Sequence, residues 1–144
     1  MKYLVDTNVF LDYLLSRDNF QDAKVFFVLS RLRKNQIFIT SMSIRDIGYV
    51  VHHKVHDKEL ANRAQFSTYE LCSKVIDITA DDAINALFND NGEYNDYEDG
   101  LQIEAADRLL LDAVITSNTK DFKSKKIPVY NLKQINQILK QQSN

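Results

Sequence analysis

Four aspartates occupy positions at which α/β proteins gather functional groups. Asp6 directly follows a short β-prone run, and Asp46 lies in the first turns of a helix predicted after the second strand. Asp99 opens the helix before the predicted fourth strand, and Asp121 lies in the loop after that strand. Functional groups in open parallel sheets collect at the carboxyl ends of the strands. We therefore expect these carboxylates to converge, although a single aspartate at a helix start is more often an N-cap.

A convergent cluster of aspartates indicates a bound cation. Carboxylates packed together raise one another's pKa values unless a cation neutralises them. Ligand sets made only of oxygen atoms suit Mg²⁺ or Mn²⁺ rather than zinc or copper. In phosphodiester hydrolysis such an ion lowers the pKa of a bound water and neutralises charge in the transition state. The aspartates therefore point to a metal-dependent nuclease.

Each aspartate has a predicted role in this hypothesis. Asp6, Asp99 and Asp121 are the expected metal ligands, and Asp46 is expected to orient the attacking water or a second ion. Short polar side chains would support the carboxylates or contact a substrate phosphate. These supporting residues are Asn8, Thr116, Ser117 and Asn118.

The hydrophobic pattern predicts alternating strands and helices, which is typical of parallel α/β folds. The predicted strands cover residues 2–5, 37–39, 75–78, 113–116 and 129–130. Helices are predicted from about residue 9, over 21–34, after Thr40 and Ser41, over 60–74, over 81–88 after Thr79, around 101–110 and over 132–140. The helix around 101–110 is apolar on more than one side and is expected to be central.

Composition limits the class of protein. A chain of 144 residues with 44% apolar residues can bury one core, and we predict a single domain over residues 1–144. Cys72 is the single cysteine, so an intramolecular disulfide and a Cys/His zinc site are excluded, and we expect it in a helix core. No stretch approaches the roughly 20 apolar residues of a membrane span. We expect a protein of the reducing cytoplasm that does not insert into membranes.

Three motifs in order carry a resemblance to a known family. They are Leu4-Val5-Asp6-Thr7-Asn8-Val9, Asp96-Tyr97-Glu98-Asp99-Gly100-Leu101-Gln102 and Ile115-Thr116-Ser117-Asn118-Thr119-Lys120-Asp121-Phe122. Together they resemble the PIN domain nucleases, which include the VapC-type toxins of bacterial toxin–antitoxin pairs. The likeness spans residue 3 to about residue 130.

The resemblance implies a PIN-like three-layer α/β/α domain whose central, mostly parallel sheet has four to five strands. It also implies cleavage of RNA with Mg²⁺ or Mn²⁺. Asp6, Asn8, Asp99 and Asp121 match the family's acids and its supporting asparagine. Asp46 stands where the family usually has a glutamate, so this acid is one methylene shorter. Asp96 is a rival to Asp99 as the third acid, and Asn118 is a minor rival to Asp121.

The resemblance further implies protein partners, namely a cognate antitoxin and a second copy in a homodimer. The early helices also carry more apolar side chains than a small monomer needs, and we expect part of them to form a partner groove. These side chains are Phe26, Phe27, Val28, Tyr49 and Val50.

Two alternatives compete with the nuclease. One is a degenerate PIN-like domain that binds RNA or a protein partner without cutting, because Asp46 replaces the usual glutamate. The other is an unrelated flavodoxin-like or receiver-type regulator in which Asp6 belongs to an acidic pocket. The second and third motifs fit this regulator poorly.

Overall fold

A parallel β-sheet of five strands lies at the centre of the protein in the computed structural model, which describes residues 1–88, 94, 96–120 and 122–142. The elements are β1 (Lys2–Val5), α1 (Thr7–Leu14), α2 (Phe20–Leu32), β2 (Gln36–Thr40), α3 (Ser41–Val55), α4 (Lys58–Leu71), β3 (Lys74–Ile76), α5 (Ala80–Leu87), α6 (Tyr97–Arg108), β4 (Ala113–Thr116), β5 (Val129–Asn131) and α7 (Leu132–Gln141). The predicted α/β fold with a mostly parallel sheet is confirmed.

The strand order is β3-β2-β1-β4-β5, and every neighbouring pair is parallel. The chain therefore begins in the middle of the sheet, builds outward to β3, and then crosses to the other side of β1. Val5 of β1 pairs with Ile115 of β4. The order reverses between these two strands, and a crevice is expected at the carboxyl ends of strands at such a point.

Alternation along the strands divides the core into two layers. Tyr3 and Val5 contact one apolar cluster, whereas Leu4 contacts the other, because successive side chains of a strand point to opposite faces. In β4, Ile115 likewise belongs to the first cluster and Val114 to the second. The first cluster includes residues of α1, α2, α3 and α7, and the second includes residues of α5 and α6. The predicted three-layer arrangement is confirmed.

The predicted boundary between α4 and β3 was wrong. The helix ends at Leu71 rather than at residue 74, and the strand ends at Ile76 rather than at residue 78. Cys72 is already extended, and the Ser73 backbone N–H donates to Ile37 O at 2.7 Å. Pairing with β2 therefore ends the helix. Cys72 is half-buried after the helix and does not lie within a helix core.

The helix starts were predicted more closely. Thr40 is the N-cap of α3, and its hydroxyl accepts from Ser43 N at 3.0 Å. Thr79 caps α5 in a reciprocal pair of hydrogen bonds with Asp82. α1 begins at Thr7, directly after Asp6, rather than near residue 9.

The expected apolar surface on the early helices was partly wrong. Phe26 and Phe27 are buried in the core, where their rings contact each other and neighbouring aromatic side chains. Val28 and Tyr49 are exposed, as the expectation required. Over the described part of the chain, none of the helices has both the length and the apolar character that a bilayer span needs.

Candidate active site

An open cavity of about 360 Å³ lies at the carboxyl ends of the central strands, and we call it the acidic cavity. It brings together three of the four predicted acids, Asp6, Asp46 and Asp99, while Asp121 lies outside the described residues. Its lining consists of Asp6, Thr7, Asn8, Leu11, Thr40, Met42, Ser43, Asp46, Tyr49, Val50, Ile78, Glu98, Asp99, Leu101 and Gln102.

Asp6 is held at the base of this cavity by the sheet itself. Its backbone N–H donates to Ile115 O at 2.8 Å, which extends the pairing of β1 with β4 by one residue. The carboxylate accepts from Gln102 Nε2 at 3.0 Å and from Thr116 Oγ1 at 3.1 Å. Burial raises the pKa of Asp6 above its ordinary value, and the hydrogen bonds from Gln102 and Thr116 offset part of that rise. A buried carboxylate of this kind is stabilised in its charged form by a cation.

The two rival acids of α6 have different surroundings. Asp96 is the N-cap of α6, and its exposed carboxylate accepts from Glu98 N at 2.7 Å. Asp99, in the first turn, lines the acidic cavity together with Glu98. The geometry therefore gives Asp96 a capping role and places Asp99 at the acidic cavity.

Asp46 reaches the acidic cavity from the first turns of α3 and is paired with its neighbour. Arg45 Nη2 lies 2.7 Å from Asp46 Oδ1, and Arg45 Nε donates to the same oxygen at 3.0 Å. The hydrogen bond to Asp46 raises the pKa of Arg45, with a smaller contribution from Glu98. A positive charge thus stands at the rim of a cavity that is otherwise acidic.

The predicted supporting residues at the end of β4 and just after it make hydrogen bonds within the protein. Thr116 binds Asp6, as described above, and its hydroxyl also accepts from the backbone N–H of Asn118 at 3.2 Å. The Ser117 hydroxyl donates to Asp12, a buried carboxylate of α1. The contact between Ser117 and Asp12 therefore holds the residues that follow β4 against α1. Asn8, from the first motif, lines the acidic cavity and helps to offset the raised pKa of Asp6.

Gln102 and Asp12 support site residues through hydrogen bonds that were not predicted from the sequence. Gln102 lies three residues after Asp99 on α6 and Asp12 four residues after Asn8 on α1, so each shares a helix face with a predicted site residue. This helical spacing was the available signal. Asp12 also accepts from Asn19 Nδ2 at 3.2 Å, which ties the end of α1 to the start of α2.

The donor set of the acidic cavity fits a hard divalent cation. Within the described residues, no three Asp, Glu, His or Cys side chains lie close enough together to hold an ion by themselves. Mg²⁺ usually takes only one or two protein carboxylates and keeps several water ligands. Gln102 Oε1 is buried beside Asp6 and accepts no hydrogen bond. Asp6 and Asp99 each bring one carboxylate to the cavity, which matches the number that Mg²⁺ usually takes.

A model of the PIN domain family matches residues 2–120 of the chain. This protein belongs to the PIN domain family. The matched range contains β1 to β4 and the acids Asp6, Asp46 and Asp99 of the cavity. No curated protein matches the chain.

Solved structures with a similar fold include toxin–antitoxin proteins from several bacteria. VapBC2 from Rickettsia felis, bound to a DNA fragment from its promoter, is 22% identical over 91% of this PIN domain protein and 98% of that chain, with a TM-score of 0.66. A toxin–antitoxin complex from Klebsiella pneumoniae is 25% identical over 90% of this chain and 97% of that chain, with a TM-score of 0.62. Mycobacterium tuberculosis VapC20, described as a sarcin-ricin loop cleaving toxin, is 13% identical over 78% of this chain and 86% of that chain, with a TM-score of 0.60.

Proposed function

We propose that this PIN domain is a metal-dependent endoribonuclease and the toxin of a bacterial toxin–antitoxin pair. The observation that carries the proposal is the position of Asp6, Asp46 and Asp99 around one cavity at the carboxyl ends of the strands. Membership of the PIN domain family supports a nuclease. VapC20, which has a similar structure, is described as a toxin that cleaves the sarcin-ricin loop, and this supports RNA as the substrate class.

The chain's own residues would prepare the reaction before the substrate arrives. Asp6 and Asp99, with Asp121, would hold Mg²⁺ or Mn²⁺, while Gln102 and Thr116 fix the orientation of the Asp6 carboxylate. When bound, the cation supplies an acidified water and charge neutralisation at the phosphate. Asp46 would orient the attacking water from the α3 side of the cavity.

Cleavage of a mixed, structured RNA pool tests this function. We expect the wild type to cut with Mg²⁺ or Mn²⁺ and to stop cutting in EDTA. Asp6→Asn should abolish cutting, because the amide is neutral and is a poor ligand for a hard cation. Asp107→Asn is the matched control, since Asp107 is exposed on α6 and should leave cutting unchanged. Equal cutting by wild type and Asp6→Asn would refute the proposed site.

A second candidate is a PIN domain that binds RNA or a protein without cutting it. The pairing of Asp46 with Arg45 favours it, because a carboxylate occupied by a guanidinium is less available to orient water. Calorimetric titration with Mn²⁺ separates the two candidates. Mn²⁺ binding that depends on Asp6, without turnover on any RNA of the pool, would favour the candidate that does not cut.

An antitoxin partner forms part of the proposed role. Similar structures were solved as toxin–antitoxin complexes, which supports such a partner here. Expression of the wild type alone should arrest growth, and co-expression of the cognate antitoxin should restore it. Asp6→Asn should be harmless alone, and harm equal to that of the wild type would contradict the proposal. We also propose a homodimer, which sedimentation of the purified protein would test.

A further inference from the structure

Tyr49 is an exposed aromatic side chain at the edge of the acidic cavity. Its side chain is 62% exposed, whereas the core-facing side of α3 buries Ile44, Ile47 and Val51. Tyr49 lines the acidic cavity and also a shallower pocket beside it, which Arg45 and Asp46 complete. Core packing therefore does not account for this ring, and its position connects the acids to the neighbouring surface.

The Tyr49 ring is supported by a second ring from the next turn of α3. The centroids of Tyr49 and His53 lie 3.9 Å apart with an interplanar angle of 32°. His53 Nδ1 lies 2.9 Å from the backbone oxygen of Tyr49, so the imidazole is itself attached to the helix. The two rings limit each other's rotation. An aromatic ring fixed in advance loses less conformational entropy when a planar ligand stacks on it.

A cation lies one turn before Tyr49 on the same face of the helix. Arg45, Tyr49 and His53 follow one another at intervals of four residues, which places them along one stripe of α3. The Arg45 side chain is 69% exposed, and its guanidinium matches the geometry of a phosphate group. Proteins that bind unpaired nucleic acid combine two kinds of side chain: a basic group binds the phosphate backbone, and an aromatic ring beside it stacks on a base.

We propose that Tyr49, supported by His53, is a stacking subsite for one unpaired nucleobase of the RNA strand, next to the phosphate that enters the acidic cavity. Arg45 binds the neighbouring backbone phosphate. This subsite rests on the proposed function, because it assumes that the strand cut in the cavity is RNA. It predicts that the strand crosses α3 and that the base beside the cut is flipped out of any stem.

Stacking can be measured without cleavage. Short unstructured RNAs with 2-aminopurine at one position in turn are titrated with protein in the presence of Ca²⁺, and the RNA is checked for integrity afterwards. We expect quenching of the fluorophore at one position by the wild type and by Tyr49→Phe. Tyr49→Leu should lose this quenching and weaken RNA binding by about tenfold, the effect typical of removing one stacking ring. Tyr69→Leu is the matched control, because Tyr69 is similarly exposed but lies on α4.

Cleavage kinetics give a second measurement. Tyr49→Leu should raise KM by about tenfold with little change in kcat, because the lost contact is present in both the bound substrate and the transition state. Unchanged quenching and KM in Tyr49→Leu, or an equal loss in Tyr69→Leu, would overturn the subsite. Unchanged RNA binding together with lost self-association in sedimentation would assign Tyr49 to a protein interface and overturn it as well.

The outcomes also separate the subsite from the nuclease. A wild type that quenches through Tyr49 but never cuts keeps the subsite and refutes the nuclease. If Tyr49→Leu cuts RNA with the same KM as the wild type, the nuclease is kept and the subsite is refuted. A wild type that neither binds nor cuts any RNA refutes both.

Discussion

Replacing Gln102 by leucine should weaken metal binding with little effect on folding. Gln102 is buried in α6 and donates one hydrogen bond to Asp6 Oδ1, at 3.0 Å. Its own oxygen, Oε1, is buried without a hydrogen-bond partner. Leucine has a similar size and removes both groups at once. The variant therefore loses the favourable hydrogen bond to the Asp6 carboxylate, and it also loses the buried oxygen Oε1 that has no hydrogen-bond partner.

The two effects nearly cancel in the free energy of unfolding. A hydrogen bond to a charged group contributes about 1.5–3 kcal/mol, and an unsatisfied buried acceptor costs about 1–3 kcal/mol. We therefore expect the free energy of unfolding to change by less than about 1 kcal/mol. Metal binding has no such cancellation, because the lost donor held the Asp6 carboxylate in place. Loss of such a support should weaken Mn²⁺ binding by about tenfold or more.

Urea denaturation in EDTA and calorimetric titration with Mn²⁺ measure the two quantities separately. Gln137→Leu is the control, because Gln137 is exposed on α7. Unchanged Mn²⁺ affinity in Gln102→Leu would refute the role of Gln102 in holding Asp6. A loss of more than about 3 kcal/mol in unfolding free energy would refute the cancellation.

Three further predictions concern the layer formed by α5 and α6. Arg108→Met removes the ion pair with the buried Asp82, whose oxygens lie 2.9–3.2 Å from the guanidinium nitrogens. Because Arg108 is about one-third exposed, we expect a loss of about 2 kcal/mol in urea denaturation rather than the full 3–5 kcal/mol of a fully buried pair. Burial raises the pKa of Asp82, but the hydrogen bonds from Arg108 and Thr79 outweigh it, and the pKa lies below its ordinary value. This stabilisation is complete above the unfolded pKa of about 3.9 and is lost as the pH falls through the lower, folded pKa. The difference in unfolding free energy between wild type and Arg108→Met should therefore narrow below about pH 4, and the part that comes from the hydrogen bond of Arg108 to Asp77 O should remain. Gly100→Ala would place a Cβ 2.2 Å from Tyr94 Cε2, and we expect it to cost about 1–3 kcal/mol. An unchanged thermal midpoint in Gly100→Ala would contradict the packing of Tyr94 against α6.

The elements that local signals specify were predicted from the sequence. Thr40 and Thr79 cap helices through contacts within three residues, so their role is visible in a short stretch of chain. The end of α4 has no such local signal, because the helix is ended by hydrogen bonds between Ser73 and Ile37, which lies 36 residues earlier. Phe26 and Phe27 show the same limit. Adjacent aromatic residues on a helix predict one exposed ring, but α1 and α7 cover both sides of α2.

The candidate site divides in a similar way. The placement of Asp6, Asp46 and Asp99 around one cavity followed from the rule that strand ends meet at one edge of a parallel sheet. The supports of these acids did not follow from it. Gln102 binds a residue 96 positions away, and Ser117 binds Asp12 across 105 positions. Such pairs depend on how α6 and the loop after β4 pack against the rest of the protein. A short stretch of sequence does not predict this packing.

The ion pair of Arg45 with Asp46 is weaker than its short distance suggests, so it does little to keep Asp46 from acting in catalysis. The two side chains are 69% and 31% exposed, and exposed ion pairs gain little because water screens the charges. A substrate phosphate can therefore compete with Asp46 for the Arg45 guanidinium and leave the Asp46 carboxylate in the acidic cavity. The charge of Asp46 is available whenever Arg45 binds a phosphate. The remaining difference between Asp46 and the usual glutamate is therefore side-chain length, which is shorter by one methylene. The choice between a nuclease and a PIN domain that only binds thus depends on whether a water can lie between Asp46 and the phosphate over that shorter reach.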